Sequence, residues 1–108
     1  RPTDTVVLER STTSPSAHGI LSLNWPNPFN GSTRMRYRVD AAQRVQLAVY
    51  DLLGRPVRSL SNRDTLPGTY ELTWDGRDEA GRSVAAGVYW IYMTTESHRW
   101  ARKVALLK

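Results

Sequence analysis

The sequence contains no cysteine, and this absence excludes disulfide bonds, thiolate catalysis and cysteine-based metal sites. It also has no apolar run near the roughly 20 residues that a membrane-spanning helix needs, and no stretch keeps the 3.6-residue period of an amphipathic helix. Neither of the two histidines, His18 and His98, lies in a recognisable spacing with a serine nucleophile and a carboxylate. The sequence therefore predicts a protein that is not an enzyme and that uses no cofactor.

What remains is a short, basic chain. Its 108 residues, 40% of them hydrophobic, are enough for one domain with a single core. Fifteen Lys and Arg against ten Asp and Glu give a net charge of +5, spread without a block of like charges, which favours a solvated surface and no nucleic-acid partner. Because the chain begins at Arg1 with neither an initiator methionine nor a signal peptide, we expect a module of a larger protein.

Residues 1–19 differ in composition from the rest. After a short "TVVLE" run they are dominated by Ser, Thr, Pro and small residues. We interpret this segment as a linker from an upstream cargo domain, with "TVVLE" either extended or a weak edge strand. The folded domain is then predicted to occupy residues 20–108.

Within 20–108, short alternating segments are separated by turn signals about every ten residues, a pattern typical of an antiparallel β-sandwich. Seven strands are predicted, at residues 20–25, 33–40, 44–51, 56–60, 68–74, 87–95 and 98–108. The short fourth segment begins with Pro56, as expected of an edge strand. Residues 87–95 are apolar on both faces and predict a central strand.

Three arginines, Arg34, Arg36 and Arg38, occupy alternate positions of the second segment. Successive side chains of a strand point to opposite faces, so these arginines are expected on the solvated face and the intervening apolar residues in the core. The row lacks the interleaved aromatic residues of a nucleic-acid platform.

Four motifs in order carry a family resemblance: "NWPNPFNGSTRMRYRV", "VQLAVYDLLGRPVRSL", "GTYELTWDGRDEAGRSVAAGVYWIYM" and "RKVALLK". Together they resemble the type A C-terminal sorting domain of proteins exported by the bacterial type IX secretion system. That family is similar to the immunoglobulin-like domain of the flagellar hook-capping protein. The resemblance covers residues 21–108 and implies an all-β, immunoglobulin-like antiparallel β-sandwich of about seven strands.

The resemblance also implies a function. Such domains stand at the C-terminus of a longer exported protein, where the outer-membrane type IX machinery reads them as an address. A sortase-like peptidase commonly cuts the preceding linker as the cargo is released or attached to surface lipopolysaccharide. Here the cut is expected within residues 14–19, and the protein at the cell surface or in the medium, reached through the periplasm.

The family's motif residues map onto this chain as follows. The PNP-type turn matches Pro26, Asn27, Pro28, Phe29 and Asn30; the D-x-x-G-R-x-V hairpin matches Asp51, Gly54, Arg55 and Val57; the G-x-Y strand matches Gly87 and Tyr89; and the terminal strand matches Lys103, Leu106, Leu107 and Lys108. Gly31 departs from the family, since many members have a proline there.

Two of these motifs have a physical interpretation. In the PNP turn, two prolines fix φ and predict an extended corner, in which Asn27 and Asn30 bond local backbone groups. In the terminal strand, Lys103 and Lys108 are expected to be accessible beside an apolar stripe formed by Val104 and Leu106. That arrangement suits recognition by strand addition or by an acidic groove. The alternative is a last strand that only completes the sandwich.

Other residue groups leave alternatives open. The carboxylates of Asp75, Asp78 and Glu79 are close enough in sequence to hold calcium, but a solvated turn with Asp capping is favoured. Four tryptophans are either a platform for sugar rings or core residues: Trp25, Trp74, Trp90 and Trp100, with Trp100 expected to be the most exposed. The alternatives to a sorting module are therefore a carbohydrate-binding or adhesive module and a structural spacer.

Overall fold

The computed structural model describes residues 19–22 and 25–108. Within them lie seven strands: β1 (Gly19–Leu21), β2 (Thr33–Val39), β3 (Gln43–Tyr50), β4 (Pro56–Thr65), β5 (Gly68–Trp74), β6 (Gly87–Thr94) and β7 (Arg99–Leu106). The predicted linker and its "TVVLE" run fall outside the described residues, except for Gly19, which begins β1. The described part of the chain contains no helix long and apolar enough to span a membrane.

The strands form two antiparallel sheets. One has the order β1-β2-β5 and the other the order β4-β3-β6-β7. Their inner faces pack together, because one cluster of buried residues includes Met35 and Tyr37 from the first sheet and Leu47 and Ile91 from the second. The predicted antiparallel β-sandwich is confirmed.

Alternation in the sequence determines which side chains enter this core. Met35, Tyr37 and Val39 are almost completely buried, whereas every intervening arginine of β2 is exposed. In β3, Val45, Leu47 and Val49 are buried in the same way. The period of two therefore predicted the inner and outer faces of both strands correctly.

The fourth strand is longer than the sequence predicts. It was expected at residues 56–60, but β4 continues to Thr65 and pairs with β3 from Tyr50↔Pro56 to Gln43↔Thr65, with two register shifts. The continuation was missed because residues 61–65 are polar, and an edge strand is held by ladder hydrogen bonds that do not require an apolar pattern. The edge position of β4 and the central position of β6 are confirmed.

The loops that carry the motifs lie at one end of the sandwich. The register Thr33↔Trp74 marks this end in the first sheet, and Gly87↔Leu106 marks it in the second. Phe29 joins the two, since it pairs with Leu106 in an isolated parallel bridge. The first described residue, Gly19, pairs with Val39 at the opposite end. Upstream residues therefore attach at the end away from the last residues of the chain.

Candidate functional site: the last strand and the turns around it

The last strand, β7, is an edge strand that contributes to the core. Val104 is fully buried and Leu106 is 4% exposed, while Lys103 points outward and is exposed. Lys103 and Lys108 are exposed as expected, but the apolar stripe of Val104 and Leu106 beside them is buried. In a two-layer sandwich the apolar alternate residues of an edge strand still face the opposite sheet. The exposed apolar residue of this segment is Leu107, at 51%, followed by exposed Lys108.

The PNP turn docks on the outer edge of β7. Asn27 Nδ2 donates to the carbonyl of Lys103 at 3.1 Å, and Asn27 Oδ1 accepts from the amide of Ala105 at 3.1 Å. One side chain thus satisfies an acceptor and a donor that an unpaired strand edge would leave free. The expectation that Asn27 bonds local backbone groups is wrong, because the turn brings its amide against a strand far away in sequence.

Phe29 extends the same edge. Its amide donates to the carbonyl of Ala105 at 2.9 Å, and its carbonyl accepts from the amide of Leu107 at 2.7 Å. The Phe29 ring is 1% exposed and packs 5.5 Å, centroid to centroid, from the buried ring of Trp74. The turn therefore behaves as a one-residue parallel strand anchored by an aromatic core residue.

The turn itself bends rather than extends. The peptide bonds before Pro26 and Pro28 are both cis, and residues 26–28 are exposed bends. The Thr33 hydroxyl donates to the carbonyl of Pro26 at 2.8 Å and ties the turn to the start of β2. Asn30 of the same turn is exposed. The extended corner predicted from the two prolines is replaced by a compact turn held at both sides.

The D-x-x-G-R hairpin is organised by one carboxylate. Asp51 Oδ1 accepts from the amides of Leu53 and Arg55, each at 2.9 Å, while Asp51 Oδ2 lies 2.8 Å from Arg55 Nε. The pKa of the Asp51 carboxyl is lowered, chiefly by the hydrogen bond from the Arg55 amide. Gly54 has φ = 81°, a left-handed conformation in which glycine is strongly preferred. The motif residues thus fix the turn between β3 and β4.

The same turn occurs a second time at residues 78–82. Asp78 Oδ1 accepts from the amides of Ala80 and Arg82 at 3.0 Å, and Gly81 has φ = 83°. The pKa of the Asp78 carboxyl is likewise lowered, chiefly by the hydrogen bond from the Arg82 amide. The sequence predicted a solvated turn with Asp capping here, but its likeness to the first turn was missed, although D-x-x-G-R is present in both "DLLGR" and "DEAGR".

The second turn also covers part of the β4 edge. The Glu79 amide donates to the carbonyl of Val57 at 3.1 Å, and Glu79 Oε1 accepts from the amide of Ser59 at 2.8 Å. Asp75 lies 3.2 Å from Arg58 Nη1. Each carboxylate of the suggested calcium cluster therefore has its own protein partner, and the described residues contain no group of three or more metal-ligating side chains.

Tyr89 of the G-x-Y motif links these turns to the core. Its hydroxyl donates to the carbonyl of Ala85 at 2.6 Å, and its ring meets that of Trp74 edge-on at 5.3 Å. Burial, followed by the nearby charge of Asp51, raises the pKa of the Tyr89 hydroxyl. Gly87, the first residue of β6, pairs with Leu106. The G-x-Y motif is therefore structural and supports β7 from its inner side.

The four tryptophans occupy different environments. Trp74 is fully buried, and its indole nitrogen donates to the carbonyl of Arg77 at 3.0 Å. Trp100 packs against the core and is half-buried, as are Trp25 and Trp90, so it does not stand out as the exposed member of the set. The rings on outer faces lie beside cations: Trp25 beside Arg34 and Arg36, and Trp90 beside Lys103.

The outer face of β2 is solvated as predicted. Arg36 pairs with Glu71 at 2.8 Å, and Arg38 pairs with Asp40 at 2.9 Å. The hydrogen bond from Arg36 lowers the pKa of Glu71. The row of arginines is thus an exposed surface in which Arg36 and Arg38 form ion pairs and Arg34 and Arg36 lie beside the Trp25 ring.

The family model of the FlgD Ig-like domain matches residues 23–98. The chain belongs to the FlgD Ig-like domain family. The predicted immunoglobulin-like sandwich is therefore confirmed, and the two motif-bearing turns and β6 lie within the matched region.

Solved structures with the same fold include two Porphyromonas gingivalis proteins and the flagellar protein FlgD. Dimeric latent PorU from Porphyromonas gingivalis matches with a TM-score of 0.65 and 21% identity, over 92% of this chain and 10% of that chain. FlgD from Xanthomonas campestris, whose structure concerns hook capping in flagellar assembly, matches with a TM-score of 0.58 and 26% identity, over 82% of this chain and 68% of that chain. PorZ, described as an essential surface component of the Porphyromonas gingivalis type IX secretion system, matches with a TM-score of 0.50 and 18% identity, over 83% of this chain and 11% of that chain.

This chain thus spans about a tenth of the PorU chain that it matches. The curated proteins contain no significant match to it. At 21% and 18% identity, the likeness to PorU and PorZ establishes a shared fold.

Proposed function

We propose that this chain is a non-catalytic sorting module, the C-terminal address by which a larger bacterial protein passes through the type IX secretion system to the cell surface or medium. The observation that carries the proposal is the recurrence of this fold as about a tenth of two long chains, one of them described as a surface component of that system. The order of the family motifs along the chain supports the same function.

The site suited to recognition is the outer end of β7. Lys103 points outward from the strand, and Leu107 and Lys108 are exposed beyond it. The edge between Lys103 and Leu107 is already paired with Asn27 and Phe29. A partner therefore binds the side chains and the last residues rather than adding a strand along that edge, unless it first displaces the PNP turn.

The geometry of the sandwich fits such an address. The upstream residues join at the end where Gly19 pairs with Val39, and Leu107 lies at the other end. A cargo domain attached through residues 1–19 would leave the recognised end accessible. The peptidase that cuts this linker, within residues 14–19, belongs to the host, and the cargo is then either released or attached to surface lipopolysaccharide.

A reporter fusion tests the proposal. A periplasm-targeted fluorescent protein carrying this chain at its C-terminus is expressed in a host with an intact type IX system and in an isogenic strain that lacks the system. We expect the reporter at the surface or in the medium of the first strain and in the periplasm of the second. Equal distribution in the two strains would overturn the proposal and favour a structural spacer.

A further inference from the structure

A row of aromatic rings lies on the outer face of the four-stranded sheet. Tyr50 of β3 meets Tyr92 of β6 edge-on, with ring centroids 5.2 Å apart. The ring of Tyr92 is nearly parallel to that of Trp90, with centroids 6.4 Å apart and an interplanar angle of 15°. All three rings are half-buried although they face away from the core. The outer faces of soluble sandwiches are ordinarily polar, so a contiguous aromatic row there indicates a binding surface.

Two cations flank this row from the neighbouring strand. The guanidinium of Arg99 lies 4.1 Å from the centre of the Tyr92 ring, and the ammonium of Lys103 lies 5.4 Å from the centre of the Trp90 ring. Both contacts are within the range of cation–π attraction, which holds a cation beside a ring without neutralising its charge.

These cations have no carboxylate partner among the described residues. The ion pairs of that part of the chain all involve other arginines: Arg36, Arg38, Arg44, Arg55, Arg58, Arg77 and Arg82. Arg99 and Lys103 therefore leave two uncompensated positive charges beside the rings. Such a surface is complementary to an anion.

The polar atoms of the rings differ between the two faces of the sandwich. The hydroxyls of Tyr70 and Tyr89 and the indole nitrogen of Trp74 all donate to backbone carbonyls. In contrast, the hydroxyls of Tyr50 and Tyr92 have no hydrogen-bond partner among residues 19–22 and 25–108. The outer face thus offers unused donors together with apolar ring faces.

We propose that this outer face, formed by Tyr50, Trp90, Tyr92, Arg99 and Lys103, binds a saccharide chain that bears carboxylate groups. Aromatic rings stack on the apolar faces of sugar rings, free hydroxyls bond sugar hydroxyls, and Arg and Lys pair with carboxylates. An acidic peptide would use the two cations but would leave the ring row without a matching surface. The proposal does not depend on the sorting function: the two surfaces share Lys103, but the rings and Arg99 lie on the face of the sheet, away from the exposed residues Leu107 and Lys108.

Calorimetric titration of the 108-residue chain with three probes tests the proposal. The probes are a hexamer of polygalacturonate, the neutral hexamer cellohexaose, and a polyaspartate peptide of the same charge as the first. We expect saturable binding of the polygalacturonate hexamer, at least about tenfold tighter than either other probe, since only this probe has both ring faces and carboxylates. No binding of the polygalacturonate hexamer would overturn the proposal, and equal binding of polyaspartate would replace it with an acidic protein partner.

A matched pair of double variants locates the site. Arg99→Gln/Lys103→Gln removes the two cations beside the rings, whereas Arg34→Gln/Arg63→Gln removes two exposed arginines elsewhere on the surface. We expect the first variant to lose about tenfold or more in affinity for the polygalacturonate hexamer and the second to lose less than about threefold. Equal losses in the two variants would show a nonspecific charge effect and would contradict the assigned face.

Discussion

The side chain of Asn27 binds the backbone of Ala105, 78 residues further along the chain, with 3.1 Å between Asn27 Oδ1 and the Ala105 amide nitrogen. The same side chain donates to the carbonyl of Lys103. The family's first and last motifs therefore form one structural unit, in which the PNP turn holds the edge of the last strand.

Replacement of Asn27 tests this unit. Asn27→Ala removes both hydrogen bonds to β7, and we expect it to lower the free energy of unfolding by about 1–2 kcal/mol. Urea denaturation measures the loss, and amide exchange reports faster opening at Ala105. The matched control is Asn30→Ala, at an exposed asparagine of the same turn. Similar losses in both variants would contradict the specific role of Asn27.

Shortening the chain at two positions separates folding from recognition. Deletion of residues 103–108 removes the buried side chains of Val104 and Leu106, each of which contributes about 1.5–3 kcal/mol. It also removes the pairing of residues 103–106 with β6 and their hydrogen bonds to Asn27 and Phe29, each worth about 0.5–1.5 kcal/mol. Together these losses are comparable to the stability of a small domain, about 5–15 kcal/mol, so we expect this deletion to unfold most of the protein. Deletion of 107–108 removes exposed residues and the hydrogen bond from Leu107 to Phe29, and should cost about 1 kcal/mol. Circular dichroism melts compare the two, and a cooperative melt of the shorter chain would contradict the role of β7 in the core.

Acid stability depends on the two capped turns. The pKa values of Asp51 and Asp78 are lowered in the folded state. Each carboxylate therefore stabilises the protein at pH values above the ordinary Asp pKa of about 3.9. This stabilisation is lost as the pH falls through the lowered pKa of the folded state. We expect Asp51→Asn/Asp78→Asn to be less stable than the parent chain at pH 6 and to approach it near pH 2. Denaturation midpoints across this pH range measure the difference. The control Asp64→Asn alters a more exposed carboxylate and should leave the pH profile unchanged. A constant difference between the double variant and the parent at all pH values would contradict the assignment.

The conformation of Gly54 and Gly81 gives a separate prediction. A Cβ at either position would meet no atom within 4 Å, so Gly→Ala changes backbone strain without a steric clash. Because φ is positive at both positions, we expect Gly54→Ala and Gly81→Ala each to lower stability by about 1–2 kcal/mol. Asparagine tolerates this conformation better than alanine, so Gly54→Asn and Gly81→Asn should cost less. Urea midpoints that rank alanine above asparagine would contradict this explanation.

The faces of the strands were predictable because burial repeats with the period of the backbone. The alternation of Met35, Tyr37 and Val39 with exposed arginines is visible in the sequence and is fixed by strand geometry. The apolar pattern on both sides of β6 likewise predicted its central position. Its outer residues Trp90 and Tyr92, however, could not be assigned to a shared ring row without the register that brings Tyr50 of β3 beside them.

The contacts of the PNP turn were not predictable, because a hydrogen bond between Asn27 and Ala105 leaves no local pattern in either segment. The second D-x-x-G-R turn could have been found. Its residues were predicted to form a solvated turn with Asp capping, but the spacing of Asp78 and Gly81 was not compared with that of Asp51 and Gly54, which it repeats. In both turns the carboxylate caps backbone amides, and this role depends on spacing rather than on the number of acidic residues.

The exposed end of β7 is the proposed export address. The most direct test measures the fraction of a periplasm-targeted reporter that leaves the cell. The reporter carries either the parent chain, its Leu107→Ser/Lys108→Gln variant, or the control Leu66→Ser/Arg63→Gln, which changes an exposed leucine and a cation elsewhere. In a host with an intact type IX system, we predict that the parent and control reach the surface or medium and that the Leu107→Ser/Lys108→Gln variant, still folded, accumulates in the periplasm. Equal export of all three chains would contradict recognition through this end of the last strand.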